Sequence, residues 1–80
     1  MLEEALEHLV KGIVENDEDV VVRKRPNRRG DVLEVRVHPE DLGRVIGRSG
    51  RTANALRTVV TALAGGRQVR VDIVDTDRES

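Results

Sequence analysis

Val45-Ile46-Gly47-Arg48-Ser49-Gly50-Arg51-Thr52-Ala53-Asn54-Ala55-Leu56 is the stretch on which the fold turns. Two apolar residues run into a Gly-x-x-Gly turn, and the turn runs straight into a helical pattern. The glycines lack a Cβ, so another backbone can come close on either side of Arg48 and Ser49. A turn that opens onto a helix N-terminus presents unpaired N–H groups and the positive end of the helix dipole, which favours anions. Arg48 adds a charge-assisted donor and Ser49 a hydroxyl. These are the means of gripping a phosphate. Two glycines three apart are common, so the weight lies in where they stand.

Downstream, the spacing predicts a helix over 51–64, closed by Gly65-Gly66. Val69, Val71 and Ile73 then alternate with Arg70 and Asp72 as a strand. Upstream, a short helix spans 40–46, with Pro39 suited to its first position and Glu40 and Asp41 suited to the positive end of its dipole. Leu33, Val35 and Val37 alternate with Glu34, Arg36 and His38 as a half-buried strand. Residues 20–25 begin with three valines and stop at Pro26, as a strand would. Pro26-Asn27-Arg28-Arg29-Gly30 has the chemistry of a turn, so the two strands form a hairpin. Leu2, Leu6, Leu9 and Ile13, joined by Ala5, Val10 and Val14, predict an opening helix over 2–15. The order is α-β-β-α-α-β: an α+β domain over 1–74 with a polar tail over 75–80.

Eighty residues make one domain with one small core. The chain has no Phe, Tyr or Trp, which excludes the aromatic stacking platforms of RRM and most single-strand-binding OB folds. It has no cysteine, hence no disulfide and no thiolate metal site. No apolar run approaches the ~20 residues of a membrane span. Met1-Leu2-Glu3-Glu4 is acidic and unlike a signal peptide. The expectation is a soluble cytoplasmic protein.

The formal net charge of −1 conceals a strong segregation. Residues 1–19 hold seven acids against Lys11 alone. From Gly43 to Val71 there is no acid, against six arginines: Arg44, Arg48, Arg51, Arg57, Arg67 and Arg70. A charge run is ordinarily a solvated face, but this one is centred on the glycine turn, and binding responds to the local field.

Enzymatic motifs fail residue by residue. Gly47-Arg48-Ser49-Gly50-Arg51 lacks the last glycine of a nucleophile elbow. Gly50-Arg51-Thr52 resembles the end of a Walker A loop, but Val45 stands where its first glycine belongs and Arg replaces Lys. His8 and His38 have no partner at metal-ligand or base spacing, and Asp17-Glu18-Asp19 lacks the spacing of a calcium loop. These residues read as surface or capping chemistry, with no metal or cofactor implied.

Val45-Ile46-Gly47-Arg48-Ser49-Gly50, followed by Ala53 and Leu56 on one helix face, resembles the I-G-x-x-G core of the KH domain. The element order is similar to the type II arrangement, in which an extra helix and strand precede a β-α-α-β unit. More narrowly, Pro39-Glu40-Asp41-Leu42-Gly43-Arg44-Val45-Ile46-Gly47 and Arg57-Thr58-Val59-Val60 resemble the small stand-alone bacterial KH proteins of the KhpA type. Ala53 departs from the larger aliphatic found in many KH domains. The resemblance implies a three-stranded sheet covered on one face by helices. It also implies single-stranded RNA as ligand, held as about four nucleotides by the loop, and a role as RNA chaperone or post-transcriptional regulator.

Carried onto this chain, the resemblance makes Gly47, Arg48, Ser49 and Gly50 the phosphate grip. Arg44 and Arg51 either strengthen the field there or are ordinary exposed side chains. Gly43, Val45 and Ile46 would wall an apolar groove for bases, although Gly43 also suits packing or capping. The hairpin turn would border the groove from the other side, making Arg25, Arg28 and Arg29 secondary phosphate contacts or a solvated tip. Without aromatic stacking, one copy should bind weakly and in a salt-dependent way, and a second KH surface would supply avidity. Ala53, Leu56, Val60, Leu63 and Ala64 form the core stripe of the long helix. Ala55, Val59 and Ala62 form a second stripe, either buried in this domain or docked on a partner. The resemblance implies a homodimer or a heterodimer with a larger KH protein. A protein-interaction module with vestigial RNA binding is the competing reading.

Overall fold

The computed structural model describes residues 2–74, so the expected polar tail, residues 75–80, lies outside the described residues. The elements are α1 (Leu2–Lys11), β1 (Val21–Arg25), β2 (Asp31–Arg36), α2 (Leu42–Ile46), α3 (Arg51–Ala64) and β3 (Val69–Ile73). Short 3-10 turns at Asp17–Asp19, Pro39–Asp41 and Arg48–Gly50 join them. This is the expected α-β-β-α-α-β order.

Period-two alternation organises the sheet. In β2, Leu33 and Val35 are buried while Val32, Glu34 and Arg36 turn to the other face. β2 is the central strand, antiparallel to β1 with Val22 opposite Val35, and parallel to β3 with Leu33 opposite Val71. A parallel pair needs a crossover, and α2, the glycine turn and α3 are that crossover. Its helices lay Val45, Leu56 and Val60 on the sheet, where they meet Leu6 and Val10 of α1 in one aliphatic core. Among the described residues, helices cover one face of the sheet.

Two expectations about helices need correction. α1 stops at Lys11, four residues before the predicted end. Gly12 weakens the helix there, and its N–H is shared between the carbonyls of His8 and Leu9, both at 3.2 Å. Ile13 and Val14 still pack on the core, but in a turn and the irregular stretch after it. In α3, Ala53, Leu56, Val60 and Ala64 are buried as expected, whereas Leu63 is 55% exposed. Leu63 lies only about 20° round the helix from Leu56, at the margin of the stripe, where the sheet no longer covers it.

The missing end of α1 is taken up by Asp41. Its carboxylate is buried and accepts the Glu15 N–H at 3.2 Å, the Asn16 N–H at 3.0 Å and the Asn16 side-chain amide at 3.0 Å. The sequence suggested only a helix-dipole role for this acid. The structure makes it the tie between the α1–β1 connection and the start of α2. His38 completes the entry, its Nδ1 accepting the Glu40 N–H at 3.0 Å.

Burial raises the pKa of Asp41, but the hydrogen bonds from Asn16 and Glu15 outweigh it and hold the carboxyl below its ordinary value. A depressed native pKa gives stabilisation that is complete above the unfolded-state value and is lost as pH falls through the native one. The thermal midpoint should therefore fall steeply below about pH 4. Asp41→Asn should lower the midpoint at neutral pH by roughly 5–10 °C and flatten the acid limb in circular-dichroism melts. An unchanged acid limb would contradict this role.

Candidate nucleic-acid interface

The glycine turn is a constrained loop. Gly47 has φ 76° and ψ 171°, a conformation essentially confined to glycine. A Cβ there would meet Thr52, with its Oγ1 closest and its own Cβ and backbone N at 2.8 Å. The loop is thus folded back onto the first turn of α3. Ser49 has φ 56° and ψ 26°, the left-handed conformation, and among the described residues it is the one non-glycine residue with positive φ. Gly50 follows at φ 76° and ψ 14°, and its N–H donates to the Gly47 carbonyl at 3.1 Å.

Arg48 is helical and Ser49 left-handed, a succession that turns neighbouring N–H groups toward one concavity of the kind that holds anions. Both side chains are exposed. Gly50 caps α3 without any side-chain hydrogen bond. Exposed Arg51 stands at the first position of the helix. The loop can offer an incoming oxyanion backbone donors, a hydroxyl and guanidinium groups together.

The other expected residues divide. Ile46 is 39% exposed beside the loop, whereas Val45 is wholly buried and belongs to the core. A residue facing the sheet cannot also wall a groove. Gly43 is exposed on α2, and a Cβ there would meet nothing within 4 Å. Among the described residues it therefore has no packing partner on that side, and its surface is open to a ligand. Arg44 pairs with Glu15 at 2.8 Å. Both partners are largely exposed, so the pair is worth little and leaves the arginine available.

The hairpin arginines are not brought to the loop. The Asp31 N–H donates to the Gln68 carbonyl at 3.1 Å, which docks the hairpin turn on the α3–β3 connection. That is the far end of α3, about 20 Å along its axis from the glycine turn. Arg28 and Arg29 line a cleft there with Arg67 and Arg70, which sequence reasoning did not single out as site residues. Arg25 pairs with Glu34 at 2.9 Å. The second stripe of α3, Ala55, Val59 and Ala62, is exposed, with Val59 at 41%.

The family described as KhpA/KhpB, KH domain, matches residues 3–75. This chain belongs to that family. RNA-binding protein KhpA of Streptomyces coelicolor is 75% identical over 77 residues, covering 96% of each chain. The protein of the same name from Leifsonia xyli is 71% identical over 75 residues, covering 94% of this chain and 99% of the relative. That of Halalkalibacterium halodurans is 44% identical over 72 residues, covering 88% and 95%. No solved structure matches the chain. Among the described residues, no group of His, Asp and Glu could hold a metal ion, and no helix is long and apolar enough to cross a membrane.

The three glycines of this KH region should respond differently to alanine. Gly47→Ala adds a Cβ against Thr52 in a glycine-only conformation and should cost about 3 kcal/mol or more. Gly50→Ala meets no atom and should cost about 1–2 kcal/mol for the left-handed backbone alone. Gly43→Ala should be neutral or stabilise by up to about 1 kcal/mol, since it removes a helical glycine. Urea denaturation of the three variants checks the order, and a large loss at Gly43 would contradict the open surface.

Proposed function

We propose that this protein is a non-catalytic binder of single-stranded RNA in the cytoplasm, and that the loop from Gly47 to Gly50 holds the sugar-phosphate backbone. The observation that carries this reading is the constrained loop: successive right- and left-handed residues at Arg48 and Ser49 leading into an α3 cap with no side-chain bond. Family membership and the RNA-binding names of the relatives support it. Gly43 and Ile46 are the surfaces offered to bases beside the loop, one bare and one apolar. Arg44 and Arg51 add positive field around the phosphates. With no aromatic side chain to stack on a base, phosphate contacts dominate affinity, which makes binding salt-dependent. A role as RNA chaperone or post-transcriptional regulator fits a small binder of this kind.

Replacing Arg48 and Ser49 together by Asp puts two negative charges where phosphates are expected. RNA binding in a gel-shift or anisotropy assay should fall by at least tenfold, with the circular-dichroism spectrum unchanged. Undiminished crosslinking of that variant to cellular RNA would favour the protein-interaction reading.

The exposed stripe of α3, Ala55, Val59 and Ala62, is the surface offered to a second KH domain, either another copy of this chain or that of a larger protein. Leu63, 55% exposed beside it, enlarges the apolar area. Two linked loops would raise affinity through effective concentration rather than new contacts. Light scattering at micromolar concentration should give a dimer for the intact chain and a monomer for Val59→Glu. A monomer in both cases would refute self-pairing.

A further inference from the structure

The pole of the domain opposite the glycine loop carries an open cleft of about 740 Å³, lined by Arg28, Arg29, Arg67 and Arg70. The four arginines come from two connections and the start of β3, and they lie 38 or more positions apart across the two groups. Their meeting is enforced by backbone. Gly30 has φ 117°, and a Cβ on it would strike the Gln68 carbonyl oxygen and come within 2.7 Å of the Gln68 Cβ. The Asp31 N–H bond to that same carbonyl completes the lock.

Among the described residues none of these arginines is paired with a carboxylate. Asp31 is the sole acid among the described residues that line the cleft, and it is held by Lys24 Nζ at 3.3 Å. Arg67 donates through Nε to the Ala64 carbonyl at 3.3 Å, which covers the negative C-terminal end of α3. Four guanidinium groups around one cleft repel each other unless an anion joins them. Guanidinium forks match phosphate oxygens in geometry as well as in charge.

We propose that this cleft is a second phosphate-binding site, which takes the backbone of the same RNA strand beyond the few nucleotides held by the loop. The proposal rests on the RNA-binding reading above, and its own test is separate from that of the glycine loop. It turns the domain from a clamp at one point into a support with two contacts about 20 Å apart along α3. It also gives a use to Arg67 and Arg70, which lie outside the glycine loop.

The test compares oligouridylates of four and sixteen nucleotides. In NMR titrations of the intact chain, both should shift the amides of residues 47–50, and only the longer should also shift those of residues 28–30 and 67–70. Replacing Arg28, Arg29 and Arg70 together by Gln spares the Arg67 cap. That variant should bind the sixteen-mer about tenfold more weakly at 0.1 M salt, with the salt slope reduced by about 2 for three lost contacts on a single strand. Its binding of the four-mer should be unchanged. Arg28→Glu with Arg29→Glu, confined to the exposed turn, repeats the test without touching β3. Wild-type affinity and slope for the sixteen-mer in both variants would overturn the second site, as would equal losses on both lengths. If the loop variant leaves four-mer binding intact, the loop reading fails while the second site stands. If the intact chain binds neither length, both fail.

Discussion

The parallel pairing of β2 with β3 is the constraint on which the rest of this molecule depends. Two strands that run the same way, side by side, cannot be joined by a tight turn. The chain must leave the C-terminal end of β2, cross the sheet and return to the N-terminal end of β3. α2 and α3 make that crossing, and their apolar faces supply the cover the sheet needs, with Val45, Leu56 and Val60 buried against it. The crossover also fixes the poles. The glycine turn falls where the chain reverses between α2 and α3, and the hairpin turn falls beside the far end of α3.

Within that frame, the loop is held by specific contacts. Gly47 lies against Thr52, and Asp41 binds the backbone before β1 to the start of α2. Ser49 is kept left-handed at an energetic cost, as happens where a backbone must present its N–H groups in a particular direction. A loop shaped before its ligand arrives loses less entropy on binding. That matters in a chain with no aromatic side chain, because it has no stacking energy to offset such losses.

Charge follows the same geometry. The acids of the first nineteen residues gather on α1 and the connection after it, and α1 packs on β1 and α3. The arginines between Gly43 and Val71 are distributed between α2, the two ends of α3 and the helix itself. Arg57, midway along α3, donates to the Val71 carbonyl on β3 and to Asn54, so it serves the join between helix and strand. The remaining five separate into the loop group of Arg44, Arg48 and Arg51 and the distal group of Arg67 and Arg70. A net charge near zero therefore says little about either pole.

Most of the fold was legible in the residues. Alternation of Leu33 and Val35 against Glu34 and Arg36 is a local pattern, and so are the heptad-like spacing of α3 and the glycines that end it. Each depends only on neighbours in the chain, and the elements follow in the expected order, with α1 alone ending well short of its expected bound. Gly47-Arg48-Ser49-Gly50 was likewise a local pattern, and together with its place between two helices and the element order it carried the family resemblance. What the sequence could not determine was which distant groups meet. Asp41 reaches Glu15 and Asn16 across 26 and 25 positions and holds the chain that leaves the shortened α1. Val45 is drawn wholly into the core, and Leu63 is left outside it. Arg28 and Arg29 are carried away from the loop to join Arg67 and Arg70. These outcomes depend on the strand register and the path of the crossover. Both are set by packing the whole sheet at once, and no window of sequence contains them.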